Sequence, residues 1–167
     1  GHSAQYNRRM SVFHPSDLYE IAWLGDCDLS PDGRHAAVTV ARLDRTADAY
    51  RSAIWLVDVA TGACRQFTAG ADRDSAPRWS PDGRWLAFLT VRPGDQAKPQ
   101  LAVLPTDGGE SRLVTAMGQG AGVPVWSPDS RRIVFSARTG VPPDPASKKA
   151  RPYRRRSEEH TSELQSH

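Results

Sequence analysis

One short phrase occurs three times in this chain: LSPDGRH at 29–35, WSPDGRW at 79–85 and WSPDSRR at 126–132. Ser30, Ser80 and Ser127 are equivalent positions, 50 and 47 residues apart. Tandem units of this length are the mark of a repeat architecture. Each phrase is followed by an apolar run, HAAVTVA at 35–41, WLAFLTV at 85–91 and RIVFSA at 132–137. After a polar loop comes a second run, AIWLVD at 53–58 or QLAVLP at 100–105. A glycine turn and a last short run, CRQFT at 64–68 or SRLVT at 111–115, close the unit.

These runs are five to seven residues long, rich in branched and aromatic residues, and bounded by turn formers. They carry no 3.6-residue stripe, so they read as strands. Many lack strict apolar–polar alternation, which implies a sheet covered on both faces. The phrase is the turn between two of them. Pro31, Pro81 and Pro128 preset φ for the first central position of a type I turn. Asp32, Asp82 and Asp129 can bond the local backbone, and Gly33 and Gly83 supply the positive φ that returns the chain. Ser130 replaces glycine in the third copy, at a cost of about 1 kcal/mol if φ stays positive. Trp79 and Trp126 end the strands that enter the turns and are expected to pack in the core.

Four short antiparallel strands repeated in tandem form the unit of a β-propeller. The expected fold is all-β, a partial propeller of about two and a half four-stranded blades. Blade 1 spans about 26–70, blade 2 about 74–117, and an incomplete blade 3 about 122–140, all within a propeller segment at 14–140. In such a meander the SPDG turns and the TDGG-type turns share one end. The long polar loops at 42–52 and 92–99 are expected at the other, where binding usually resides.

The remaining segments are treated separately. Residues 1–13 form an N-terminal extension, and the part before Met10 reads as upstream translated sequence or a cloning scar. Residues 141–155 form a basic, proline-rich loop. Residues 156–167, RSEEHTSELQSH, resemble a translated sequencing adapter and are set aside as an artefact, together with Glu158, Glu159, His160 and Glu163.

Composition narrows the function classes. The net charge of +3 arises largely from KKARPYRRR at 148–156, a local run that is a weak basis for a nucleic-acid partner, so none is expected. No segment approaches the ~20 apolar residues of a membrane-spanning helix. The N-terminal stretch GHSAQYNRRMSVFHPSD at 1–17 has no apolar signal-peptide core, and a cytoplasmic location is expected. Cys27 and Cys64 show no metal-ligand spacing and are expected to be small buried residues. No metal and no cofactor are anticipated.

SAPRWSPDGRWLAFLTVR at 75–92, QLAVLPTDGGESRLVT at 100–115 and the lead-in at 14–58 carry a family resemblance. They resemble the WD-like propeller repeats of TolB proteins and, more closely, of prolyl oligopeptidase-family serine peptidases of the acylaminoacyl peptidase and dipeptidyl aminopeptidase type. The resemblance implies a propeller lid that gates short peptides to a C-terminal α/β-hydrolase domain with a Ser-Asp-His triad. No catalytic residue carries over. The G-x-S-x-G elbow is absent, GQGAG at 118–122 has glycine at the serine position, and His14 and His35 lack partners in the family's order. The implied partners are therefore a hydrolase domain of a longer parent chain and that parent's peptide substrate. Two other readings stand beside it: a TolB-like module that binds protein partners, and a truncated reading frame without function. Because repeat folds generally need three or more units, the chain alone is not expected to be a stable, soluble monomer.

Overall fold

The computed structural model describes residues 14–69, 73–92 and 97–138. The terminal extension, the basic loop and the adapter-like tail lie outside these residues. A 3-10 helix at Pro15–Glu20, for which the sequence carried no expectation, leads into ten strands. Its start is tied by Asp17, whose carboxylate accepts the His14 N–H at 2.8 Å.

Blade 1 comprises β1 (Ala22–Leu29), β2 (His35–Asp44), β3 (Ala49–Asp58) and β4 (Cys64–Gln66). Blade 2 comprises β5 (Arg73–Trp79), β6 (Trp85–Val91), β7 (Gln100–Pro105) and β8 (Arg112–Leu113). Blade 3 is described for β9 (Val125–Trp126) and β10 (Ile133–Val134). Within each blade neighbouring strands are antiparallel. One parallel pairing, Ser52 with Arg73, stitches blade 1 to blade 2. The first strands of successive blades touch, β1 with β5 and β5 with β9, which places them on the axis side of the arc.

Pleating assigns the two faces of each blade. In blade 2, Leu86 and Phe88 on β6 and their cross-strand partners Leu104 and Ala102 on β7 point toward blade 1. There they meet Ala37, Ile54 and Leu56, with Phe67 and Trp79 at the margin. The alternate residues Ala87, Leu89, Leu101 and Val103 point toward blade 3 and meet Trp126, Ile133 and Phe135. Both faces are therefore covered, which is why WLAFLTV does not alternate with polar residues. Phe88, only 2 % exposed, illustrates the scale: truncating such a side chain to alanine costs about 3–5 kcal/mol.

Two expectations need correction. The stretch 42–52 is not a long loop. β2 and β3 pair through it as far as Asp44–Ala49, leaving only a tight turn. Asp44 closes that turn by accepting the Thr46 and Ala47 N–H groups and the Arg51 guanidinium. A polar run reads as a loop, but here its polar side chains face outward from paired backbone. The cysteines are also not buried. Cys27 and Cys64 are exposed free thiols, because Cys27, opposite Val38 on β2, lies on the face of blade 1 turned away from blade 2, and β4 is that blade's short last strand. The second expected loop, 92–99, falls partly outside the described residues.

Candidate functional site: a ladder of turns and the joints between blades

The three repeated turns have one hydrogen-bond design. In the first, the Ser30 hydroxyl donates to Asp32 Oδ1 at 2.6 Å and accepts the His35 N–H at 2.9 Å. Asp32 Oδ1 also accepts the Arg34 N–H at 3.0 Å. The Gly33 N–H reaches Ser30 O and the Ser30 N–H reaches His35 O, both at 2.8 Å. Ser80, Asp82, Arg84 and Trp85 repeat these bonds, as do Ser127, Asp129, Arg131 and Arg132. Gly33, Gly83 and Ser130 hold φ of 71°, 73° and 59°, the left-handed region anticipated for them. Pro31, Pro81 and Pro128 follow each serine in the turn.

The serine is the residue whose part was not recognised from sequence. Its hydroxyl bridges the aspartate and the backbone of the next strand, and Ser80 is fully buried while doing so. The recoverable signal was its invariance across the three copies. The carboxylates respond as expected for such acceptors. Asp82 is held down at about 2, first by the Ser80 hydroxyl and then by the Arg84 N–H. Asp32 and Asp129 are lowered by the corresponding serine hydroxyls and backbone donors.

A second repeated device lies at the other end of the unit. The Thr68 hydroxyl accepts the Ile54 N–H, and the Thr115 hydroxyl accepts the Leu101 N–H, both at 2.9 Å. The closing threonine of CRQFT and SRLVT thus caps the third strand of its own blade.

The joints between blades carry bonds that differ from one copy to the next. Between blades 1 and 2, Asp28 Oδ2 accepts the Trp79 N–H at 2.7 Å, and the Ser52 hydroxyl donates to Asp74 O at 2.7 Å. Between blades 2 and 3, the Trp126 indole N–H donates to Arg78 O at 2.9 Å. The Asp82 N–H donates to the Ser130 hydroxyl at 3.0 Å. Ser130 therefore offsets its backbone strain with a cross-blade bond that glycine could not make. Trp79 and Trp126, expected in the core, are half-buried and pack against its edges. Unlike that of Trp126, the buried Trp79 indole N–H has no partner among the described residues.

Two hollows flank blade 2. A cleft of about 700 Å³ opens beside Phe67, Thr68, Asp74, Phe88 and Thr90. A groove of about 290 Å³ runs along Trp85, Val103, Trp126 and Phe135. Neither is lined by a histidine or cysteine among the described residues, so neither holds a base with an ordinary pKa near neutrality. The turn serines are bonded into the backbone, not poised as nucleophiles. Among the described residues no three His, Cys, Asp or Glu side chains are grouped to hold a metal, and no helix is long and apolar enough to cross a membrane.

Comparison with known proteins agrees with this geometry. The chain is 41% identical over 99 residues to the uncharacterized peptidase YuxL of Bacillus subtilis, a match covering 59% of this chain and 15% of that protein. It is 27% identical over 142 residues to dipeptidyl-peptidase 5 of Porphyromonas endodontalis, covering 85% of this chain and 20% of that one. The chain thus spans a fifth or less of the length of these relatives. The β-propeller domain of the trilobed protease from Pyrococcus furiosus superposes with a TM-score of 0.59 at 20% identity, covering 70% of this chain and 34% of that one. That likeness establishes the fold. Residues 24–151 match the family model PD40, the TolB beta propeller domain. With three repeated turns, blade-on-blade packing and a match over most of its length, the chain belongs to the PD40 β-propeller family.

Proposed function

We propose that this arc is part of the propeller of a prolyl oligopeptidase-family serine peptidase. In that protein the propeller gates short peptides to a separate α/β-hydrolase domain carrying the catalytic serine. The observation that carries the reading is the pair of peptidase relatives, each matched over only 15–20% of its length. The geometry supports a gating role over a chemical one. Its blades are packed on both faces and cross-linked by Asp28, Trp126 and Ser130, and its turn serines are structural.

The test is to read the source genome past the codon for Arg155 and to express the complete frame. Further blades followed by a G-x-S-x-G elbow, and labelling of that serine by a fluorophosphonate, are the expected result. A frame that encodes blades alone would overturn the peptidase reading. The family's TolB description favours a propeller that docks protein partners in that case.

A further inference from the structure

Three Asp–Gly bonds occur in this chain, Asp32–Gly33, Asp82–Gly83 and Asp107–Gly108. Such a bond is chemically labile, because glycine has no side chain to keep its amide nitrogen away from the preceding carboxyl group. The nitrogen attacks the aspartate Cγ. A C–N bond forms, the carboxyl C–OH bond breaks, and the amide proton leaves with the hydroxyl as water. The resulting succinimide then takes up one water. Attack at Cγ restores aspartate. Attack at the backbone carbonyl breaks the original peptide C–N bond and leaves the chain running through the β-carboxyl, as isoaspartate. No oxidant or reductant is needed.

The reaction requires a protonated, mobile carboxyl group and an amide nitrogen free to turn toward it. The repeated turns withhold both. Asp32 Oδ1 accepts the Ser30 hydroxyl at 2.6 Å and the Arg34 N–H at 3.0 Å. Asp82 accepts the same bonds from Ser80 and Arg84, and its Oδ2 also accepts the Arg84 guanidinium at 3.0 Å. In each turn the glycine N–H is committed to the serine carbonyl at 2.8 Å. These donors hold Asp82 at about 2 against an ordinary 3.8, which lowers its protonated fraction at neutral pH by more than about tenfold.

The turn between β7 and β8 lacks these restraints. Pro105 stands two residues before Asp107, where the repeated turns have serine. The Asp107 carboxylate makes no hydrogen bond or ion pair among the described residues. The Gly108 N–H reaches Pro105 O only at 3.4 Å, beyond the roughly 2.7–3.2 Å of a firm N–H···O bond. Asp32 and Asp82 are as exposed as Asp107 in kind, so hydrogen bonding, not exposure, separates the three sites.

We propose that Asp107–Gly108 is the bond at which the folded chain isomerises to isoaspartate, and that the turn serines protect Asp32 and Asp82 from the same reaction. The proposal is independent of the peptidase reading, since it depends only on the two kinds of turn.

The test ages the full 167-residue chain in warm neutral buffer, folded and in guanidinium chloride. Isoaspartate is quantified with an isoaspartyl carboxyl methyltransferase and located by electron-transfer fragmentation of a digest. In the folded chain Asp107 should isomerise at least about tenfold faster than Asp82, with Asp32 also slow. In guanidinium chloride the three rates should converge. Ser80→Ala should raise the rate at Asp82 alone, with Asp32, whose serine is intact, as the internal reference. Equal rates in the folded chain would overturn the proposal, as would Asp32 or Asp82 leading. So would an order that persists in guanidinium chloride, since neighbouring residues and not the turns would then set it. An unchanged Asp82 rate in Ser80→Ala would overturn the protective role of the serine. If Asp32 rises together with Asp82, the variant has unfolded, and the wild-type rates decide.

Discussion

Replacing Ser80 by alanine tests whether the turn serine organises each blade. The hydroxyl is fully buried. It accepts the Trp85 N–H at 2.9 Å and donates to Asp82 at 2.6 Å. In Ser80→Ala the Trp85 N–H loses its acceptor at the start of β6. Leaving a buried donor unpaired costs about 1–3 kcal/mol. The Asp82 carboxylate is solvated and is left out of that figure. The packing loss is small, since alanine fills nearly the same volume. The assay is urea unfolding followed by tryptophan fluorescence, with Trp79 and Trp85 as reporters flanking the turn. Ser111→Ala serves as the control, because Ser111 is exposed and surface changes fall within about 0.5 kcal/mol. If Ser80→Ala were as mild as Ser111→Ala, the serine would not be the keystone of the turn, and Pro81 and Gly83 would suffice.

Acid should act on the same turns. The folded-state pKa of Asp82 is depressed to about 2 from an ordinary 3.8. Its contribution is therefore complete above about pH 4 and is lost as pH falls from about 4 toward 2. Asp32 and Asp129 shift in the same direction. Unfolding midpoints measured across that window should fall more steeply for wild type than for Asp82→Asn. At Ser130, relief of left-handed strain competes with the bond to the Asp82 N–H. Ser130→Gly should stay within about 1 kcal/mol of wild type, whereas Ser130→Ala keeps the strain, loses the bond and should cost about 1 kcal/mol by denaturant titration. Trp126→Phe removes the donor to Arg78 O and should cost about 1 kcal/mol in the same titration.

Much of the blade was legible from residues alone, because its instructions are local. A proline that presets φ, a glycine that allows positive φ, and short branched runs between them act within a few residues. Their recurrence at 50 and 47 residues identified the unit. The lack of alternation in WLAFLTV announced that both faces are covered, though not by what. Where an effect depends on a distant partner, sequence was silent or misleading. The serine looked like one more turn former until its hydroxyl was seen bridging Asp82 and the Trp85 backbone. The polar stretch 42–52 looked like a loop, but β2 and β3 pair through it. The cysteines looked buried by residue type, yet type says nothing of whether a strand lies inside a joint or on an open face.

What the amino-acid sequence by itself determined, then, is the turn, the strand and their period, since these follow from dihedral preferences and short-range bonds. What only the tertiary structure decided is the joint. Asp28 reaches Trp79 across 51 residues, and Ser130 reaches Asp82 across 48. Such contacts depend on how one blade is rotated against the next. That rotation is set by the packing of whole faces such as Leu86, Phe88 and Leu104 on Ile54 and Leu56, and no local preference encodes it.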